Sequence, residues 1–220
     1  MKLGQHFLVN KKVIDKIISY IDFSIRPIIE VGGGKGNLTK HLNPDLVIEL
    51  DGKFLKYLPN VVLADGRHLP IDRGQIVSSL PYYITYDFFE EVTKINRIKC
   101  LTLILQSDFV EKIKNEPTYI SYLINFYYKI DIKDNIPPWF FYPKPKVYST
   151  LVRFTRIRDF DERINLLLKC VTKYRNKKIS NALKLCNAED KIEEIANKKV
   201  RDFKPWEVNE LLNLMGIKYV

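Results

Sequence analysis

The chain has 220 residues, enough for one sizeable core or for one main domain with a small appendage, and too few for two large independent domains. Hydrophobic residues make up 46%, and no run approaches the roughly 18 apolar residues of a membrane helix, so the composition excludes a membrane-spanning bundle and implies a soluble protein. Thirty-six Lys and Arg against 26 Asp and Glu leave a net charge of +10, which suits a polyanionic partner such as a nucleic acid.

The first residues, "MKLGQHF", lack the apolar core and cleavage site of a secretory signal, and this places the chain in the cytoplasm. "KKVIDKIISYID" then carries Val13, Ile14, Ile17, Ile18 and Ile21 on a helical period. "RPIIEV" reads as a buried strand, and "DLVIEL", "NVVLAD", "QIVSSL" and "CLTLILQ" continue the series, with helical or loop segments such as "YDFFEEVTKI" between them. Strands alternating with helices predict an α/β domain on a mainly parallel sheet. "FYYKIDIKDNI" and "YSTLVRFTRI" predict later strands that pair antiparallel at one edge. From about Asp159 the pattern becomes helical and rich in Lys and Arg, through "RINLLLKCVTKYRNKKISNALKL", "DKIEEIANKKV" and "PWEVNELLNLM". The expected division is a domain over residues 1–157 and a small basic helical domain over 158–220. Cys100, Cys170 and Cys186 are odd in number and widely spaced, which argues for packing or surface roles rather than a disulfide framework or a zinc site.

"IIEVGGGKGNLTKHL" is the strongest single motif. A strand ends at Glu30, and Gly32, Gly34 and Gly36 let the backbone turn and approach a ligand before a helix expected near Asn37. Glu49, nineteen residues after Glu30, stands where an acidic side chain accepts hydrogen bonds from ribose hydroxyls. No G-K-[ST] follows, which disfavours a phosphate-binding loop. An acidic Glu30 before the glycines repels a pyrophosphate and tolerates a cationic amine, which favours S-adenosylmethionine over a dinucleotide. Asp65, in "VVLADGRHL", stands where an adenine amine is held, or else is a turn or helix-capping residue.

In "SSLPYY" the proline frees the carbonyl of Leu80 from ladder pairing, Ser79 offers a hydroxyl and Tyr82 a flat face. Methylation of an exocyclic amine needs such acceptors and such a platform, because the amine must be oriented and its ring fixed.

Five ordered segments carry a resemblance: "LGQHFL" (3–8), "EVGGGKGNLT" (30–39), "VIELD" (47–51), "SLPYYI" (79–84) and "FYPKPKVYS" (141–149). Together they resemble the KsgA-type family of ribosomal RNA adenine dimethyltransferases, related to the erythromycin-resistance methyltransferases of large-subunit rRNA. "KYRNKKISNAL" is similar to the start of that family's C-terminal helical domain. The resemblance implies a Rossmann-like methyltransferase sheet, mostly parallel with an antiparallel edge. It also implies S-adenosylmethionine as donor and transfer of methyl groups to N6 of two adjacent adenosines near the 3′ end of small-subunit rRNA. A monomer is expected by default, since nothing in the chain argues for a dimer interface, and no metal is expected from the spacing of its cysteines and histidines.

Carried over by position, Gln5 and Phe7 with Leu8 line the cofactor entrance, and Glu30, Gly32 and Gly34 surround the methionine moiety. Glu49 and Leu50 hold the ribose, and Asp65 with Gly66 the adenine. Ser79, Leu80, Pro81 and Tyr82 meet the target base, Ser79 borders the cofactor as well, and Phe141 closes on the base's other face; by itself Phe141 reads as core packing beside Trp139 and Phe140. Lys144, Lys146, Arg175, Lys177 and Lys178 read as phosphate contacts. His6, His41 and His68 share no spacing that suggests a relay or a metal, and receive no catalytic role.

The family usually has Asn where Ser79 stands, and serine shortens the reach of the side-chain oxygen by roughly 1.5 Å. Two alternatives rest on that departure. One is an RNA methyltransferase with a monomethyl product or a different target, and the other is a non-catalytic rRNA-binding assembly factor, favoured also by the short C-terminal part.

Overall fold

The computed structural model describes residues 6–188 and 198–217. Two compact units divide the chain, Met1–Phe109 with Lys129–Ile157, and Val110–Tyr128 with Arg158–Val220. A single cut at 157/158 therefore does not describe the division, because residues 110–128 cluster with the C-terminal helices.

In chain order the elements of the first unit begin with β1 (Phe7–Leu8), α1 (Lys11–Ser19), β2 (Ile28–Val31), α2 (Thr39–Leu42) and β3 (Leu46–Glu49). They continue with β4 (Val61–Leu63), β5 (Arg73–Ser79), α3 (Thr85–Thr93) and β6 (Arg97–Gln106). Two helices follow that the sequence reading did not separate, α4 (Ser107–Asn115) and α5 (Tyr119–Tyr127). Then come β7 (Tyr128–Ile136), β8 (Phe141–Tyr142) and β9 (Ser149–Arg156).

Seven strands form one sheet in the order β4-β3-β2-β5-β6-β9-β7. The β2–β3, β3–β4, β2–β5 and β5–β6 pairs are parallel, and β6–β9 is antiparallel. Every residue of β2 is buried, as a strand covered on both faces requires. Strand order reverses between β2 and β5, so a crevice opens at their carboxyl ends, the usual ligand position in such sheets. β1 and β8 form a separate antiparallel ribbon, with Phe7 opposite Tyr142 and Leu8 opposite Phe141.

Local chemistry sets several boundaries. Asn10 caps α1 by accepting the Val13 N–H at 3.2 Å, and Ile14 and Ile17 supply its buried stripe. The helix expected near Asn37 begins at Thr39 and lasts one turn. Asn37 instead donates its side-chain amide to the Leu8 carbonyl at 2.9 Å, tying the glycine loop to β1. The "FY" of "FYYKIDIKDNI" ends α5 rather than starting a strand. Thr118 starts that helix by accepting the Ser121 N–H, and Phe126 and Tyr127 are buried in it.

In the second unit α5 packs with α6 (Glu162–Val171), α7 (Ile179–Leu185) and α8 (Val208–Leu214). The buried Tyr122 hydroxyl donates to the carbonyls of Val200 and Phe203, at 2.9 and 2.7 Å. Cys170 and Cys186 form a disulfide across 5.9 Å of Cα separation, which corrects the expectation of packing or surface roles. Their distance along the chain hides the approach, because α6 and α7 fold back on each other; Cys100 is free and buried. Much of "DKIEEIANKKV" lies outside the described residues.

Candidate active site

The residues expected to meet the cofactor and the target base, apart from Gln5, line one open cleft of about 1100 Å³, mouth included, whereas Gly36 and the expected phosphate contacts Lys144, Lys146, Arg175, Lys177 and Lys178 do not. Gln5 lies outside the described residues. The walls are the carboxyl ends of β2, β3 and β5 and the segment after β4, which supply Glu30, Glu49, Ser79 and Asp65 respectively. The β1–β8 ribbon adds Phe7, Leu8 and Phe141.

The floor is the glycine loop. Gly32, Gly34 and Gly36 have φ of 78°, 51° and 75°, a region that favours glycine and lets the chain turn three times without a Cβ in the way. A Cβ on Gly34 would come within 2.8 Å of the Phe7 ring, so the residue must be small as well as left-handed. Glu49 pins this loop, accepting the Gly34 N–H at 2.7 Å with one oxygen and the Asp51 N–H at 2.9 Å with the other. Each oxygen keeps a further lone pair for an outside donor.

Glu30 is 2% exposed, and among the described residues neither its Oε2 nor the buried Thr39 hydroxyl has a hydrogen-bond partner. Burial pushes its carboxyl up to about 8. The Thr39 hydroxyl, outside hydrogen-bond geometry, opposes that shift, and the nearby Glu49 carboxylate adds to it. A buried carboxyl with an unanswered oxygen is a place for a cationic donor.

Asp65 takes the turn role and still lines the cleft. It accepts the Arg67 N–H at 2.9 Å and binds that guanidinium through both oxygens, at 2.6 to 3.1 Å. The Arg67 side chain holds its carboxyl below the usual range.

At the end of β5 the two serines have different work. Ser78 is buried and donates to the Val31 carbonyl at 2.5 Å, locking β5 to β2. The Ser79 hydroxyl engages no other described residue. The Leu80 N–H donates to the Ile104 carbonyl at 3.3 Å, and no described backbone N–H reaches the Leu80 carbonyl. Tyr82 is half-buried, its hydroxyl 2.7 Å from that of Ser149, and burial raises its phenol above the ordinary value. His6, given no role in the sequence reading, lines the cleft. Its ring stacks 6.4 Å from that of Tyr82, and its Nδ1 lies 2.7 Å from the Pro143 carbonyl. The only sequence signal for it was its place inside "LGQHFL". Phe141 is buried in the core with Leu8 and also reaches the cleft, so packing and site roles coincide.

The family model described as "Ribosomal RNA adenine dimethylase" matches residues 1–69 and 63–210. The chain belongs to this family. Relatives agree: the protein named "Ribosomal RNA small subunit methyltransferase A" of Malacoplasma penetrans is 31% identical across 90% of this chain and 82% of its own. Its namesake in Mycoplasma mobile is 28% identical across 89% and 87%. Among solved structures, a dimethyladenosine transferase from Plasmodium falciparum superposes with a TM-score of 0.74 at 20% identity, covering 96% of this chain and 99% of that one. The 23S rRNA methyltransferase ErmE gives 0.69 at 21% identity, covering 96% and 100%. Those two likenesses establish the Rossmann-like methyltransferase fold alone.

A rRNA adenine dimethylase uses S-adenosylmethionine as donor, and the cleft fits that group. Glu30, buried and unanswered, suits the methionine amine, the bare glycine loop leaves room for close approach, and Glu49 retains acceptor capacity for hydroxyl donors.

Proposed function

We propose that this protein transfers methyl groups to N6 of two adjacent adenosines near the 3′ end of small-subunit rRNA, and so takes part in ribosome biogenesis. The observation that carries the reading is the meeting, in one cleft, of a glycine-loop pocket with an unpaired acidic anchor and a Ser-Leu-Pro-Tyr edge whose Ser79 hydroxyl and Leu80 carbonyl have no partner among the described residues. Relatives named for the small subunit, rather than the large, support the choice of rRNA.

S-adenosylmethionine, when bound, supplies an electrophilic methyl on its sulfonium. Glu30 takes the cofactor's amine, Glu49 its ribose hydroxyls, and Asp65 with Gly66 its adenine edge, while Phe7, Leu8 and Leu50 give apolar contact. On the substrate side the Leu80 carbonyl and the Ser79 hydroxyl accept from the N6 amine. Each such acceptor draws the nitrogen lone pair out of conjugation with the ring and aims it. Tyr82, held at its hydroxyl by Ser149, and Phe141 clamp the base between flat faces, which fixes the angle that a displacement requires. Pro81 keeps the Leu80 carbonyl out of the ladder. Two acceptors side by side serve a second transfer as well as the first, since the monomethylated nitrogen still carries one hydrogen.

All of these residues belong to one chain, so a monomer acting on ribosomal particles in the cytoplasm suffices. The lysines at 144 and 146 and the basic residues at 175, 177 and 178 serve as phosphate contacts. Among the described residues no helix is long and apolar enough to cross a membrane.

Mass spectrometry of nucleosides from undermethylated small subunits treated with the protein and S-adenosylmethionine tests the reading. N6,N6-dimethyladenosine is expected. A purely monomethylated product would point to the shortened reach of Ser79, and no methylated adenosine at all would leave a binding factor.

A further inference from the structure

Beside the cleft the sheet edge carries aromatic surface that the methyl-transfer chemistry leaves unused. Trp139 is 60% exposed and Tyr148 is 53% exposed, with ring centroids 6.3 Å apart and planes at 79°. The two rings form a right-angled corner, so a flat group resting on one face meets the other ring at its edge. Both are carried on pinned backbone. The Trp139 turn runs over Pro138–Phe140, closed by the Phe140 N–H donating to the Pro137 carbonyl at 3.2 Å. Its far end is held by the Val9 N–H on the Phe140 carbonyl at 2.9 Å, and the Tyr148 carbonyl accepts the Ser107 N–H at 3.0 Å.

The corner is joined to the target-base clamp at both ends. Tyr148 immediately precedes Ser149, whose hydroxyl holds Tyr82, and Trp139 stands two residues before Phe141. Between the rings the chain presents exposed Lys144 and Lys146, and from residue 135 to residue 156 there is no Asp or Glu. A flat apolar corner edged by uncompensated positive charge and continuous with a nucleotide site matches a single-stranded polynucleotide, whose bases stack while its phosphates meet lysine. The stretch of chain that carries both rings, residues 139–148, holds two lysines and no carboxylate, which suits phosphate better than a protein surface of mixed charge.

We propose that Trp139 and Tyr148 form a stacking platform for the nucleobase next to the one being methylated, with Lys144 and Lys146 on the intervening phosphates. The inference rests on the reading of the cleft as an RNA adenine methyltransferase site. It gives the platform a specific role: holding the neighbouring base unstacked from the target keeps the target extruded. The site then favours RNA segments with two adjacent unpaired bases.

The chain has two tryptophans, so Trp206→Phe leaves Trp139 as the sole indole reporter. Titrating that variant with an RNA hairpin carrying two adjacent unpaired adenosines is expected to quench the Trp139 emission. In the otherwise native chain, Trp139→Ala and Tyr148→Ala are each expected to weaken binding of this hairpin roughly tenfold. They should raise KM for RNA far more than they lower kcat, with unchanged affinity for S-adenosylmethionine, which also reports an intact fold. Trp139→Phe, which keeps a flat face, should restore most of the binding. A hairpin with an abasic site beside the target adenosine should bind the unsubstituted protein about tenfold more weakly, and Trp139→Ala should add nothing to that loss.

Absence of quenching, native affinity in Trp139→Ala, or an equal further loss on the abasic hairpin would each overturn the platform. Failure of the underlying function reads differently: the unsubstituted protein would then transfer no methyl to the hairpin or to the small subunit, whatever the fluorescence does.

Discussion

Glu30 is the buried, unpartnered carboxyl beside the glycine loop. Its carboxyl, raised to about 8 by burial, is protonated in the free protein near neutrality, and a cationic amine brought against it favours the ionised form. Binding of S-adenosylmethionine at pH 6.5 should therefore release close to one proton, seen as a dependence of the calorimetric enthalpy on the buffer's ionisation heat. Glu30→Gln should bind more weakly and release none. The same group shapes stability. Because its folded value lies above the ordinary 4.5, the folded chain holds the extra proton, and the stability it brings is complete below about pH 4.5 and fades as pH rises towards 8. Glu30→Gln should flatten the fall in melting temperature of the unliganded protein over that window, an effect on the order of a few kcal/mol across the whole range. The Ser79 hydroxyl, which lines the cleft without a described partner, is the substrate-side acceptor of the proposed function. Ser79→Ala should lower kcat for RNA methylation by about tenfold and leave the affinity for S-adenosylmethionine unchanged. A loss of cofactor affinity instead would place the hydroxyl on the donor.

At the scale of elements, the short β1–β8 ribbon and the inserted α5 show how far linear reading goes. Tyr122, at the heart of α5, spends its hydroxyl on two backbone carbonyls of the second unit. Tyr122→Phe leaves both without that donor and should reduce unfolding free energy in denaturant by about 1–3 kcal/mol while leaving cofactor binding intact.

Strands β2, β3, β5 and β6 were legible because each is a compact apolar run between turn signals, and the glycine loop because its repeated positive φ values favour glycine. The position of α5 was not, because its "YISYLINFYY" run is apolar on all sides and has no period to distinguish helix from strand. The Cys170–Cys186 pair escaped for a different reason, since a sulfur-to-sulfur approach is a property of how two helices return on each other. His6 shows the same limit in the site itself: nothing in its neighbours announces a ring beside Tyr82, and the pairing of Phe7 with Tyr142 across the ribbon, with the Nδ1 contact to the Pro143 carbonyl, brings it there.

Over the whole molecule, the net charge of +10 is an affinity for a polyanion distributed over both units. Affinity for rRNA should accordingly fall steeply with salt, and replacing Lys144 and Lys146 together by Ala should reduce the magnitude of the slope of log K against log salt by about 1–2. Binding to S-adenosylmethionine, whose site is lined by acidic groups, should be nearly indifferent to the same change. Division of the chain into a discontinuous sheet unit and a discontinuous helical unit means that neither can be cut away at one point without taking a segment of the other's sequence. The proposed methylation has a position as well as a chemistry. Small subunits lacking the modification, incubated with the protein and S-adenosylmethionine, can be mapped by reverse transcription, which halts where an adenosine has lost both N6 hydrogens. A new stop is expected at two adjacent adenosines near the 3′ end of the small-subunit rRNA. Full read-through there, or a stop appearing only elsewhere, would contradict it.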